Sequence, residues 1–414
     1  MPYLPHQYQE ILKQFLFISS SRLLILLIPI ICLSVVSENS IESVSDFSLA
    51  NQFIQILIII LISINIGSNI IISRNKDNQS QTTKIIVYLF FLSLILCILF
   101  FIISKFIFSP QIHDINIILL SSMPFVAINL VFSSFLEANK KTKISLYLSI
   151  LSLFITVIAC ALINNISVTD YAIATTLIIS FVRFFQCIVT AYILNKLFSF
   201  KLHKDCLSID GGLIKEIASF GIPEMIKSIL FTGSIFLSFY YLSHYNIEIH
   251  YLSISFFYKN IISVLFLSFC IAYSIHFAKS VKIKLDKEKI IFTTVFHIII
   301  YLFLFSTTYQ AAYFFNEMYV AEISEYLYLS QLIILFDAIG LFFVFHLRIN
   351  NIKILPPLLR LSFVFIGVPI GILLANKYNN SYYFLFGILS GNAIFAIMVI
   401  FYYRSLIKPT NNKT

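Results

Sequence analysis

An aspartate, Asp337, stands near the middle of the apolar run LIILFDAIGLFF at residues 332–343. A carboxylate at the centre of a bilayer costs roughly 2.5 to 3.5 kcal/mol on insertion scales, so it usually marks a function. In hydrocarbon a lone carboxyl is less costly protonated than charged, which suits the loading and release of H⁺. Binding Na⁺ would need further oxygen ligands, for which Asn260 and backbone carbonyls are candidates. We predict that Asp337 is functional and binds H⁺ or another cation; a structural acid hydrogen-bonded between helices is the alternative.

Five further residues in apolar surroundings could serve the same site. Glu224 and Lys227, three residues apart, share a helix face. They either form an interfacial pair near the helix start, where an acid is favoured, or line an ion or substrate cavity. Arg183 either faces a cavity, where it deters cations or holds an anionic head group, or extends its side chain to the interface. His276 and His297 are interpreted as packed or interfacial, with a proton relay as the alternative.

The composition places these residues in a membrane. The chain is 59% hydrophobic and 11% charged, whereas about a quarter of a typical soluble domain is charged. Apolar stretches of about 20 residues, the length that crosses the hydrocarbon layer, lie near 16–36, 53–73, 85–104, 115–136, 144–163, 171–195, 217–242, 251–275, 290–313, 326–346, 354–375 and 382–403. The sequence therefore predicts an all-α integral membrane protein with twelve transmembrane helices.

Basic residues predict the orientation. Most of the 28 Lys and Arg residues fall in alternate loops, and cytoplasmic loops hold the positive excess. We expect both termini in the cytoplasm and insertion in the plasma (inner) membrane. The net charge of +9 is spread over several short segments, so it indicates topology and not a nucleic-acid-binding surface.

Catalytic and metal-binding motifs do not stand out. The six cysteines show no C-x-x-C spacing, and the eight histidines show no H-E-x-x-H or paired acidic motif. A phosphate-binding loop is absent as well, which excludes ATP as the energy source. We expect no enzyme activity and no cofactor apart from a coupling ion, Na⁺ or H⁺. A membrane enzyme such as a polysaccharide polymerase or acyltransferase would need a sizeable extramembrane loop or a catalytic cluster.

The two halves of the chain resemble each other. The matching segments are NIIISRNKDNQSQTTKII (69–86) with SIHFAKSVKIKLDKEKII (274–291), and FLEANKKTKI (135–144) with HLRINNIKIL (346–355). Six helices followed by six in the same orientation form a parallel repeat with a cavity between two lobes. We predict an N-lobe at residues 1–205 and a C-lobe at 206–414.

The opening helices break this symmetry. Pro29 in IPI of helix 1 matches Pro223 in IPE of helix 7, but the offset is only 194 residues. The first half therefore lacks about eleven residues before helix 2. Either helix 1 is short or the loop after it is truncated.

Four stretches together resemble multidrug and toxic-compound extrusion (MATE) transporters. They are FLEANKKTK, DYAIATTLIISFVR (170–183), LIKEIASFGIPEMIKS (213–228) and LFDAIGLFFVFHLRINN (335–351). The resemblance implies two six-helix bundles that export organic, often cationic, amphiphiles in exchange for Na⁺ or H⁺ by alternating access. We expect a monomer in the lipid bilayer.

The resemblance also assigns roles to single residues. Asp337 matches an acid of helix 10 that helps bind the coupling cation in one bacterial branch, and Arg348 matches the arginine of an L-R-G element. Pro29 matches a proline that lets helix 1 bend, and we expect the same of Pro223 in helix 7.

Two acids of that branch have no counterpart here. The helix 1 acid falls in the truncated region, and Phe231 stands where the branch has a helix 7 acid, so that Glu224 is the helix 7 acid of this chain. A second function in the same superfamily is a lipid-linked oligosaccharide flippase, which uses several Arg or Lys to meet pyrophosphate. Arg22, Arg183 and Lys227 could serve in that role.

Overall fold

The chain is helical throughout the part that the structure describes. The computed structural model describes residues 6–74, 78–139, 141–165, 170–198, 208, 210–277, 285–350, 352 and 355–407. The helices are α1 His6–Asn39, α2 Ser43–Arg74, α3 Gln79–Ile107, α4 Pro110–Ser121, α5 Met123–Ala138, α6 Thr142–Asn164, α7 Tyr171–Phe198, α8 Gly211–His244, α9 His250–Phe277, α10 Lys287–Ser306, α11 Thr308–Phe315, α12 Val320–Ile349, α13 Leu355–Leu359, α14 Val368–Tyr378 and α15 Tyr382–Ile407. The predicted all-α class is confirmed.

Nine helical segments of the described residues are long and apolar enough to cross a membrane. Two more predicted spans overlap the shorter apolar helices Leu26–Asn39 and Phe363–Tyr378, and the last lies within α8. Large apolar side chains stay exposed, such as Ile291 at 62% and Phe303 at 65% on α10, where only 17% of the most apolar window is buried. The chain is an integral, multi-pass membrane protein. The count of twelve spans and the orientation of the termini stay predictions.

Two of the predicted spans are broken at prolines. Proline has no amide hydrogen, and its ring displaces the carbonyl four residues earlier. Pro124 thus separates α4 from α5 at Ser122. The span near 354–375 turns at Arg360 and continues as a π-helical turn, Phe363–Gly367, and Pro369 at the start of α14 gives the carbonyl of Phe365 no amide partner. Such turns are rare in proteins, and those that occur often lie at functional sites.

The chain divides into two compact units. The N-unit is Leu27–Leu237, and the C-unit is Met1–Leu26 together with Ser238–Thr414. The divisions therefore fall inside α1 and inside α8. The predicted lobe boundary between residues 205 and 206 rests on the sequence repeat and stays a prediction.

Glycine allows a close helix approach in the N-unit. A Cβ on Gly221 of α8 would lie 2.9 Å from the Cα of Ile64 in α2. A Cβ on Gly67 of α2 would overlap the carbonyl of Ile217 in α8. Both helix backbones therefore pack directly on each other, because neither carries a side chain at the contact.

Helix α12 forms the centre of the C-unit and packs against α9, α11 and α15. Its flanks are filled by aromatic side chains, among them Phe269 and Phe296, whose rings stack at 3.9 Å. The first part of α1 joins this core through Tyr8, whose ring lies 4.4 Å from that of Phe292. Helices α9 and α12 themselves meet through rings such as those of Tyr273 and Phe342, whose centroids are 5.1 Å apart. Their contact positions the charged residues that both helices carry.

The structure shows where the eleven residues are missing. Helix α1 continues for ten residues after Pro29, whereas α8 continues for twenty-one after Pro223. Of the two alternatives, the shorter helix accounts for the difference. Pro29 lies inside α1, which is continuous from His6 to Asn39, so its role in bending stays a prediction.

Candidate functional site

Asp337 lies on one of the two most buried helices among the nine candidate spans of the described residues. In both α9 and α12, 67% of the most apolar window is buried, compared with 17% for α10. Asp337 itself is 3% exposed, and it is the only buried acidic side chain among the described residues. The expected burial of this carboxylate in an apolar helix is thus observed.

Asp337 is not a lone acid, and this corrects the sequence interpretation. The Nη2 of Arg360 donates a hydrogen bond to its Oδ2 at 2.9 Å. The arginine reaches α12 because the chain turns between α13 and the π-helical turn. The Arg360 side chain is 35% exposed and that of Asp337 only 4%, so one partner remains near the surface of the C-unit. The Oδ1 of Asp337 accepts no hydrogen bond from the described residues.

A second cation, Lys259 of α9, lies beside the ion pair. Its side chain is 5% exposed, and its Nζ lies 4.9 Å from the ring centroid of Phe256 and 5.4 Å from that of Phe363. The charges of both Asp337 and Arg360 act on it. We call Lys259, Asp337 and Arg360 the charge cluster; with all three ionised, it carries a net charge of +1.

Sequence reasoning missed Arg360 and Lys259 as site residues. The signal was present, because each is a cation within or beside a predicted span, where a charge is as costly as that of Asp337. What the sequence did not show is that α9 and the turn before Phe363 bring both cations to one carboxylate.

Other predicted site residues are placed elsewhere or lie outside the description. Asn260 is exposed, so it does not share the buried face of Lys259. The backbones of Pro223, Glu224 and Lys227 belong to α8, but their side chains lie outside the described residues. The same holds for the side chains of Arg22, His276 and Arg348.

His297 is packed in the aromatic core of the C-unit, as expected. Its ring stacks on Phe266 at 5.2 Å and meets the edge of Phe269 at 5.6 Å. Its Nδ1 lies 2.7 Å from the carbonyl oxygen of Thr293 and donates to it. These contacts show that His297 is a packed side chain of this core.

Arg183 forms a hydrogen bond to the residue at the break between α4 and α5 in the N-unit. Its Nη1 donates to the Oγ of Ser122 at 3.1 Å, the residue at the break. One turn earlier on α7, Ser180 donates to the carbonyl of Ile118 at 2.9 Å, which has lost its usual helical partner near Pro124. Arg183 is half-buried. The hydrogen-bond partner of its guanidinium is thus a hydroxyl group of the N-unit.

We expect Arg183→Met to lower the stability of the protein by about 1 kcal/mol, the usual contribution of one hydrogen bond. Transport should be retained, because the change leaves the charge cluster of the C-unit intact. Thermal unfolding in detergent and efflux from proteoliposomes would measure the two effects. A loss of efflux at unchanged stability would instead place Arg183 at a substrate site.

Comparison with known proteins gives a partial match to one family model and a match in fold to several solved structures. Residues 18–163 match the MatE family model. An inward-facing multidrug resistance MATE family transporter of the MOP superfamily superposes with a TM-score of 0.77 at 14% identity, over 96% of this chain and 99% of that one. The eukaryotic MATE transporter AtDTX14 gives 0.68 at 16%, over 98% and 97%. A MOP superfamily transporter from Pyrococcus furiosus, described as having a binding pocket of reverse polarity, gives 0.67 at 12%, over 98% and 97%. No curated protein matches the sequence.

The chain has the fold of the MATE-type transporters with which it superposes. At these identities the structural likeness establishes the fold, and the match over residues 18–163 adds the sequence pattern of the family. The resemblance to MATE transporters is therefore confirmed.

Proposed function

We propose that the protein is a secondary active transporter that exports organic compounds by alternating access, in antiport with H⁺. The observation that carries the proposal is the buried pair of Asp337 and Arg360, at 2.9 Å, on the central helix of a MATE-type C-unit. Intramembrane ion pairs mark ion pathways and substrate sites. The protein acts as a monomer in the plasma membrane, with both termini in the cytoplasm.

The neighbours of Asp337 favour H⁺ over Na⁺ as the coupling ion. Arg360 and Lys259 already oppose the charge of this carboxylate, so Na⁺ would enter beside two cations and be repelled by both. It would also need several oxygen ligands around it, and Asn260, the predicted donor, is exposed. A proton needs no such shell, and because the two cations also stabilise the ionised form of Asp337, it would be carried by a basic group of the cluster.

The aromatic rings of the site favour a cationic amphiphile as the substrate. The faces of Phe256 and Phe363 already accept the ammonium of Lys259, and such faces attract organic cations. The open Oδ1 of Asp337 adds a negative counter-charge. Differential affinity for the ion in two states of the protein would then drive the substrate outward.

Efflux of ethidium, a fluorescent organic cation, from proteoliposomes tests this function. We expect an imposed pH gradient to drive efflux and a sodium gradient at equal pH to have no effect. Efflux driven by sodium alone would show that H⁺ is the wrong ion. The absence of efflux under either gradient would argue against the exporter.

The lipid-linked oligosaccharide flippase is a second candidate, which the buried cations favour. Lys259 and Arg360 add to Arg183 as groups that could meet pyrophosphate. However, Arg360 is already paired with Asp337 and Arg183 with Ser122. Translocation of a fluorescent polyprenyl-pyrophosphate sugar without ethidium efflux would favour this function over the exporter.

A further inference from the structure

The ammonium of Lys259 lies against two aromatic ring faces in the C-unit. Two ring faces, of Phe256 and Phe363, lie within about 5.4 Å of Lys259 Nζ. Aromatic faces with a nearby carboxylate are the usual components of sites for ligand ammonium groups. The nearest candidate for that carboxylate is Asp337, a buried acid of α12, which packs against the α9 helix of Lys259. The site that would suit an organic cation is thus filled by a tethered one.

The ammonium of Lys259 is weakly held. The side chain is 5% exposed, and no residue in the described part of the chain gives its Nζ a hydrogen bond or an ion pair within 4 Å. The charged groups that act on it are Asp337 of α12, which already accepts from Arg360, and Arg360 itself. The adjacent Tyr258 contacts Gln331 at 2.8 Å instead. A buried charge without a close partner is costly, and loss of the proton removes that cost.

Either a proton on Lys259 or a bound organic cation, but not both, can add a positive charge to the otherwise neutral charge cluster. Its net charge is +1 with Lys259 protonated and zero with Lys259 neutral. An organic cation would raise the neutral cluster to +1 but the protonated cluster to +2. Like charges a few ångströms apart repel strongly away from water. More distant acids do not relieve this, because Glu325 lies twelve residues earlier on α12, about 18 Å along the helix.

We infer that Lys259 is the residue at which H⁺ and the transported organic cation exclude each other. Its ammonium occupies the two rings in one state, and in the other the neutral amine leaves them to the substrate. The inference rests on the proposed function, which supplies the transported cation. The ammonium of Lys259 releases one proton to water as the organic cation binds, and the neutral amine takes a proton from water as the cation leaves. Mutual exclusion at a single site is the condition for antiport.

Ethidium affinity as a function of pH tests this role. We expect the dissociation constant of the purified protein in detergent, from fluorescence anisotropy, to fall about tenfold for each unit of rising pH, because one proton is exchanged. Lys259→Met should bind tightly without pH dependence, since it carries no charge. Lys259→Arg should bind weakly at every pH, because guanidinium stays protonated.

Lys377→Met is the matched control. Lys377 also lies over a ring, with its Nζ 5.3 Å from the centroid of Tyr378, but it is exposed. It should keep the pH dependence of the wild type. A merely structural lysine would change the unfolding temperature in both Lys259 variants and leave the pH profile unchanged, and that result overturns the inference.

Two further outcomes separate this inference from the proposed function. Absence of ethidium binding in both the wild type and Lys259→Met would overturn the cation site itself. Binding with the expected pH profile, but without efflux from proteoliposomes under a pH gradient, would support the role of Lys259 and contradict the exporter.

Discussion

Asp337→Asn is expected to abolish ethidium efflux under a pH gradient and to lower the stability of the protein. The change leaves Arg360 and Lys259 close together without the carboxylate that opposes them. Breaking a buried ion pair from one side costs about 3–5 kcal/mol. The lower end applies here, because the Arg360 side chain is 35% exposed.

A double variant separates stability from transport. Asp337→Asn with Arg360→Gln removes both partners, and replacing both members of a pair is much less costly than removing one. We expect the double variant to regain most of the stability, measured by thermal unfolding in detergent, and to remain without efflux. If the double variant transports like the wild type, the pair is structural and the coupling role of Asp337 is wrong.

Glu325→Gln is the control for the loss of an acid on the same helix. Glu325 also belongs to α12 but is exposed. Its replacement should change neither efflux nor stability measurably, because exposed charges contribute little. An equal loss in both variants would show that the effect of Asp337→Asn is not specific to the charge cluster.

Gly387→Ala is expected to destabilise the C-unit by about 1–3 kcal/mol, the typical cost of overpacking. A Cβ at this position would overlap the backbone of Gly371, and one on Gly391 would lie 2.8 Å from the Cα of Gly367. The two pairs form the direct contact between α15 and the segment of the π-helical turn and α14. Because backbone atoms cannot move aside as a side chain can, the helices must separate.

Gly233→Ala is the matched control, and it should change the stability of the protein in the opposite direction. A Cβ on Gly233 of α8 would meet nothing within 4 Å. Alanine is the better helix former by about 1 kcal/mol, so this variant should be equally or more stable. Unfolding temperatures in detergent compare the two directly. Similar destabilisation by both changes would mean that the tight contact of α14 and α15 does not govern the stability of the C-unit.

The separation of helices in Gly387→Ala should also disturb the charge cluster. The π-helical turn Phe363–Gly367 packs on α15, and its first residue, Phe363, provides one of the rings beneath Lys259. If α14 and α15 separate, the ring and the preceding Arg360 should shift together. A weaker pH dependence of ethidium binding in Gly387→Ala would report that shift.

Local chemistry made much of the fold predictable. Uninterrupted apolar runs must be helical in a bilayer, since helices satisfy their own backbone hydrogen bonds. Nine segments of the described chain meet that criterion. The length difference after Pro29 and Pro223 was visible as well, although the sequence left open whether a helix or a loop had shortened.

The broken spans show where this reasoning stops. An apolar run indicates the length of a crossing but not its continuity, because hydropathy does not register a missing amide hydrogen. The run near 354–375 was predicted as one helix, and the structure resolves it into α13, a π-helical turn and α14. That interruption is what turns Arg360 towards α12.

By itself, the sequence determined that a carboxylate would lie within an apolar helix, because hydropathy is set by the residues around Asp337 on the same helix. Only the tertiary structure decided its electrostatic state. Arg360 lies 23 residues away in the chain and Lys259 on another helix, so their approach depends on how the helices pack. Hydrophobicity is a local property that a run of residues reveals, whereas the charge of a site is a sum over groups that the fold brings together.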